Sequence, residues 1–167
     1  MPESAPRMPA GVQIQPYTAD RAQEMADLFQ RSVHAIDRTL YTNEQLNAWA
    51  PSPVDYGAWQ RRLARKQPWL ALHHDRVVGF IELDPDGHID ALYTDPELQR
   101  RGIASLLYRR LERTARERGL GRLRVEASAV ARPFFTRQGF RLQGTQRVVR
   151  QGMVLLNFRM QKSLHGE

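Results

Sequence analysis

Val12 and Ile14 are the apolar positions of an alternating stretch, and residues 12–17 predict a short first strand. Thr18 stands where a helix cap is wanted, and Ala22, Met25, Leu28, Phe29 and Ile36 follow it at helical spacing. A second short helix is expected over 42–50, with Thr42 and Gln45 in capping-box spacing and Pro51 after its end. A third is expected over 53–66, turning Tyr56, Trp59 and Leu63 inward. The period then changes from helical to alternating. Residues 69–73, 77–83 and 88–94 read as strands, joined by His74-Asp75-Arg76 and by Asp84-Pro85-Asp86-Gly87. The second connector is a turn because Pro presets one backbone angle and Gly supplies a positive one. A helix over 103–118 places Ile103, Leu106, Leu107 and Leu111 inward, and Gly119 closes it. Leu123, Val125 and Ala127 then alternate as a strand. Pro133 opens a short helix ending at Gly139, and two more strands follow over 140–150 and 153–160. This order predicts a mixed α/β fold with a largely antiparallel sheet flanked by helices.

Composition narrows the setting. A chain of 167 residues fits one domain, expected over 11–163 after a Pro-rich polar tail at 1–10. No apolar run reaches the length of a membrane span, and the N-terminus has no apolar stretch of a secretory signal. Without cysteine there are no disulfides, thiolate metal sites or cysteine nucleophiles, and a cytoplasmic location is expected.

The formal charge of +7 is unevenly placed. Residues 100–124 hold nine Arg and two Glu, so the remainder sums to zero. Residues 77–99 hold no Lys or Arg but six acids: Glu82, Asp84, Asp86, Asp90, Asp95 and Glu97. The basic segment points to an anionic partner or to a solvated Arg-rich helix, and the acidic block to a cationic one.

The segment between the two carries the chemistry. After Leu92 and Tyr93 a strand ends, the chain turns on Pro96, and Gln99-Arg100-Arg101-Gly102-Ile103-Ala104-Ser105 opens a helix. Gly102 and Ala104 let a ligand approach the backbone, and the first-turn N–H groups have no intrahelical partner. Such a start binds phosphate through those donors and the helix dipole, with Arg100 and Arg101 adding charge. The dipole supplies only about 0.3–1 kcal/mol at an exposed site, so convergent N–H bonds must supply most of the affinity.

Gln99-x-x-Gly102-x-Ala104 resembles the acetyl-CoA pyrophosphate loop of the GCN5-related N-acetyltransferases (GNAT). Downstream, Arg132-Pro133-Phe134-Phe135-Thr136-Arg137-Gln138-Gly139-Phe140 resembles that family's second signature, a helix ending in Gly-Phe, and the element order agrees from Val12 to Met160. Within the family, Gln45-Leu46-x-Ala48-Trp49-Ala50-Pro51, Gly87-His88-Ile89-Asp90 and Asn157-Phe158-Arg159-Met160 are similar to a bacterial YafP-like group. The resemblance implies direct transfer of acetyl from acetyl-CoA to an amine, without a metal or a covalent intermediate. It places a V-shaped splay between the fourth and fifth strands. Leu92 and Tyr93 would serve the pantetheine arm and the thioester carbonyl, and Gln99 to Ser105 the pyrophosphate. Dimerisation through the last strands is a habit of the family.

The same alignment sets Phe135 where many members carry a Tyr that acts as acid, and Ser128 where they carry an Asn. Phenylalanine cannot donate a proton. Ser128 can still hydrogen-bond the cofactor, and the departing thiolate is left to water, Tyr93 or Tyr108. For the base, the family often uses a Glu on the third or fourth strand; Glu82, His88 and Asp90 lie there, and Glu126 on the fifth. His88 and Asp90 share a strand face, and Glu82 sits in an apolar run where an unpaired charge is costly. The acceptor side is expected from Phe29, His34, Tyr41, Trp49 and Asn157.

Two other readings stay open: an acyl-CoA-binding regulator that does not catalyse, and a nucleic-acid binder using the Arg109–Arg124 face. Against the latter, only Tyr108 offers a stacking ring beside those arginines, and no DNA-binding pattern occurs. His73 and His74 invite a metal, but neighbouring strand residues point to opposite faces and no ligand triad accompanies them.

Overall fold

The computed structural model describes residues 11–165, so the expected tail at 1–10 lies outside the described residues. Seven strands form one sheet: β1 (Val12–Pro16), β2 (Trp69–His73), β3 (Arg76–Leu83), β4 (His88–Thr94), β5 (Arg122–Ala127), β6 (Arg141–Arg150) and β7 (Met153–Ser163). Their spatial order is β1-β2-β3-β4-β5-β7-β6, and every pairing is antiparallel except β4 with β5. The helices are α1 (Ala22–His34), α2 (Asn43–Trp49), α3 (Tyr56–Lys66), α4 (Ile103–Glu117) and α5 (Arg132–Arg137).

Local chemistry accounts for most boundaries. The capping box of α2 is formed: Gln45 N–H donates to the Thr42 hydroxyl at 3.1 Å and Thr42 N–H to the Gln45 side chain at 2.9 Å. The third helix starts at Tyr56 rather than at 53, because Asp55 caps it by accepting the Ala58 N–H at 3.0 Å. Tyr56 accordingly faces outward and donates its hydroxyl to Asp27, while Leu63 of the same helix is fully buried. Ile36 falls beyond the end of α1.

Helices α1 and α3 cover one face of β2–β4, burying Met25, Leu28, Leu63, Leu70 and Phe80 together, while Leu46 of α2 packs with Leu155 of β7. The other face receives α4, whose Ile103, Leu107 and Leu111 pack with Ile81, Ile89, Leu123 and Val125. Gly79 lets α4 approach the sheet closely. A Cβ there would meet Leu107 Cδ1 at 3.0 Å and Ile103 Cγ2 at 3.1 Å. The tight contact fixes the start of α4 relative to the sheet.

Gly87, in the turn between β3 and β4, has φ +94° and abuts β5. Its carbonyl accepts the Arg124 N–H at 3.0 Å, and a Cβ would lie 2.4 Å from the Arg122 oxygen. β4 itself carries a bulge. Glu82 pairs with Ala91 and Leu83 with Ile89, which leaves Asp90 as the extra residue.

Candidate active site

The parallel contact of β4 with β5 is brief: His88 pairs with Arg124 and Ile89 with Val125. Beyond that point the strands part, and a cleft of about 430 Å³ opens through the sheet. Its walls include β4 from His88 to Thr94, β5 from Val125 to Ala127, and the facing side of the β6–β7 hairpin. α4 and α5 flank one mouth; Tyr41 and Trp49, carried before and at the end of α2, flank the other.

On the α4 side, Gly102 stands at the N-cap with φ +81°, and no side chain caps the helix. The first-turn N–H groups are thus available to a ligand. The approach to this turn is pinned from two sides. Asp95 is buried, accepts the Glu97 N–H at 2.9 Å and pairs with Arg31 at 3.3 Å, while Ser32 donates to the Thr94 carbonyl at 2.7 Å. Gln99 lines the cleft, and Arg100 and Arg101 are exposed. Ala104 and Ser105 are half-buried, whereas the Ile103 side chain is in the core and leaves only its N–H for a ligand. Leu92, Ser128 and Phe135 line the same cleft.

At the floor, His88 lies between two carboxylates. Its Nδ1 faces Asp84 at 3.1 Å, and its Nε2 is in short contact with Glu126. Both ring nitrogens thus face a carboxylate oxygen, and a neutral imidazole can donate to only one of them. Asp90 is partnered by Lys66 at 2.7 Å and Arg62 at 3.2 Å. Burial pushes the Asp90 carboxyl up, but Lys66 and Arg62 outweigh it and hold the group below the usual carboxylate range. Glu82 is fully buried, lies outside the cleft lining and is gripped by Arg62.

The acidic block is therefore largely satisfied within the fold. Arg62 and Lys66 of α3 serve Glu82, Asp84 and Asp90; Arg124 serves Asp86 at 2.9 Å and Arg31 serves Asp95. This weakens the case for the block as a lure for cations. Arg62 lies in an unremarkable helical stretch, and only its i, i+4 spacing from Lys66 signalled that α3 carries the counter-charges.

Among the expected acceptor residues, Tyr41, Trp49 and Asn157 line the cleft. Phe29 and His34 do not. Phe29 stacks edge-on against Tyr93 with ring centroids 4.8 Å apart, and His34 Nε2 contacts the Ala50 carbonyl at 2.8 Å. Tyr93 accepts the Trp49 indole N–H at 3.0 Å, and burial pushes its phenol up to about 12. Tyr108 is buried away from the cleft and donates to Glu112 at 2.8 Å. Sequence reasoning missed Gln146, Val148 and Arg150, which reach the cleft because the β6–β7 hairpin folds back over it. Their alternation marked one strand face but not what that face meets.

His73 and His74 differ from expectation. His74 leaves the strand with φ +51°, and the two rings lie 4.1 Å apart rather than on opposite faces. Among the described residues no third His, Asp or Glu joins them as a metal-binding group, and no helix is long and apolar enough to cross a membrane.

Residues 38–163 match the family model of the acetyltransferase (GNAT) domain. The chain is 37% identical over 149 residues to the uncharacterised N-acetyltransferase YafP of Escherichia coli, covering 89% of this chain and 94% of that protein. A GCN5-related N-acetyltransferase structure from Rhodopseudomonas palustris superposes with TM-score 0.88 at 31% identity, over 97% of this chain and 99% of that one. The PaiA N-acetyltransferase of Thermoplasma acidophilum, solved in complex with coenzyme A, shares the fold at TM-score 0.75 and 17% identity, over 91% and 98%.

Proposed function

The chain belongs to the GNAT acetyltransferase family, and from that premise we propose that it moves acetyl from acetyl-CoA directly to a primary amine within a ternary complex. The observation that carries this reading is the cleft through the sheet, with an uncapped helix start at one mouth and a carboxylate–imidazole pair at its floor. The backbone N–H groups from Gly102 to Ser105, with Arg100 and Arg101, would hold the pyrophosphate. Leu92 and Tyr93 would receive the pantetheine arm and the thioester on the unpaired edge of β4.

Entering from the α2 side, the amine would meet Glu126 and His88, which accept its proton as the nitrogen attacks the carbonyl carbon. The carbon–sulfur bond then breaks and the thiolate takes a proton. Phe135 cannot supply it, and Tyr108 is committed to Glu112. Tyr41 and Tyr93 line the cleft, and each accepts an N–H (from Ala129 at 2.8 Å and from Trp49) while keeping its own proton to donate. Glu82 serves as a buried anchor for Arg62 rather than as the base. A homodimer would use the β6–β7 hairpin, where Val149, Val154 and Leu156 are exposed.

Purified protein incubated with acetyl-CoA and a broad amine panel should release coenzyme A and yield an acetylated amine by mass spectrometry. Initial rates should give intersecting rather than parallel double-reciprocal lines. His88→Ala and Glu126→Gln should each lower kcat by about 10²–10⁴. Tight acetyl-CoA binding with no amine acetylated would overturn the enzymatic reading in favour of a non-catalytic acyl-CoA regulator.

A further inference from the structure

We propose, resting on the acetyl-transfer reading above, that the acceptor is a zwitterionic amine whose nitrogen sits at Glu126 and His88 and whose anionic group is held by Arg150.

Four titratable or charged side chains other than tyrosines line the cleft: His88, Asp90, Glu126 and Arg150. Asp90 is already neutralised by Lys66 and Arg62. Glu126 is joined to His88, which also faces Asp84. Among the described residues Glu126 pairs with His88 and with no Arg or Lys, so it is the cleft carboxylate that no ion pair to a fixed cation neutralises. Arg150 makes no ion pair or side-chain hydrogen bond among the described residues. The cleft therefore has a negative floor and a positive rim.

A second observation orients the amine. The Asn157 Oδ1 atom is buried without a hydrogen-bond partner. An unmet acceptor of this kind is costly, and an N–H donor from a ligand would satisfy it. Asn157 lies two residues from Arg159, which pairs with Glu126 across β5 and β7, so Asn157 and Glu126 share a face of the sheet. Both can contact one ammonium group.

The spacing of the poles selects among zwitterions. Gln146 pairs with Asn157, and Arg150 follows it four residues later on the same face of β6, a rise of about 13 Å. Arg150 lines the cleft, and with four residues of strand between the two poles the proposal takes a spacer of several atoms between nitrogen and anion rather than the single carbon of glycine. An ω-amino acid, a short peptide or an aminoalkyl phosphate fits better than glycine. The guanidinium suits carboxylate and phosphate alike through paired N–H donors. Diamines would bring a second cation to Arg150.

The test compares kcat/KM with acetyl-CoA for 6-aminohexanoate, glycylglycine and 2-aminoethyl phosphate against hexylamine, 1,6-diaminohexane and glycine. At least one long zwitterion should exceed both hexylamine and the diamine by tenfold or more; the carboxylate and phosphate arms show which anion is preferred. Arg150→Glu should invert that order while acetyl-CoA binding is unchanged. Equal rates for amine and zwitterion, or an order unaltered in Arg150→Glu, would overturn the proposal although acetyl transfer stands. If no amine is acetylated, titration of the same zwitterions into the coenzyme A complex decides: binding lost in Arg150→Glu supports the site, and no binding overturns it.

Discussion

Arg62 closes on both carboxylate oxygens of Glu82, Nε to Oε1 at 3.1 Å and Nη2 to Oε2 at 2.7 Å. Glu82 is fully buried, and the Arg62 side chain is 35% exposed. Removing one partner of such a pair leaves an uncompensated charge, whereas removing both need not. Arg62→Met should therefore destabilise the fold by roughly 3 kcal/mol in urea denaturation. Joint replacement with Glu82→Leu should recover most of that. Turnover of Glu82→Gln, normalised to folded protein, should stay within a few-fold of the wild type, an outcome incompatible with Glu82 as the base.

Lys66 and Asp90 give stability a defined pH window. Burial lowers the Lys66 pKa, but hydrogen bonds with Asp84 and Asp90 outweigh it and raise the pKa above the ordinary lysine value. Its contribution is full below the unfolded lysine pKa of about 10.4 and is lost as pH rises through the higher folded value. Asp90, held low, contributes above the unfolded value of about 3.9 and loses that contribution as pH falls through the folded one. Chemical denaturation should show Lys66→Met less stable than the wild type between about pH 5 and 9, with the gap closing at both extremes.

Gly102 is the residue whose substitution should separate cofactor binding from folding. With φ at +81°, a β-branched side chain is strained there, and it would crowd the open N–H groups. Gly102→Val should weaken coenzyme A binding at least tenfold, about 1.4 kcal/mol by calorimetry. Unaltered affinity would remove the helix start from the binding site.

Gly87 tests how β4 and β5 are held. Ala at this position would meet the Arg122 carbonyl and adopt an unfavourable positive φ. Gly87→Ala should cost about 2 kcal/mol or more, seen as a lower Tm. His88 adjoins this residue, so kcat should fall along with stability.

Much of the architecture was legible because it rests on short-range chemistry. The Asp84–Gly87 turn, the Thr42–Gln45 capping box and the alternation of Leu123, Val125 and Ala127 each specify local structure within a few residues. The start of α4 was legible for the same reason. Relations across the sheet were not. The bulge at Asp90 depends on a register that no periodicity announces, and Glu82 finds Arg62 twenty residues away on a helix whose facing is set by tertiary packing. Glu82 stood out correctly as a charge needing an explanation, yet burial of a charge signals only that a partner exists. Arg150 carried no signal, since its importance arises from a hairpin turning back upon the cleft.

The brief meeting of β4 and β5 makes the seven strands two half-sheets joined along a short seam. Two residue pairs, the Arg124–Asp86 bridge and the His88–Glu126 contact stitch it together. Its lower stitch is thus also the proposed proton acceptor, so chemistry and mechanical fastening share one pair of side chains. Above it, the facing edges of β4 and β5 are left without each other's backbone partners. A ligand with amide groups laid along that gap would complete the sheet as a missing strand does, and the enzyme would be most fully folded when loaded.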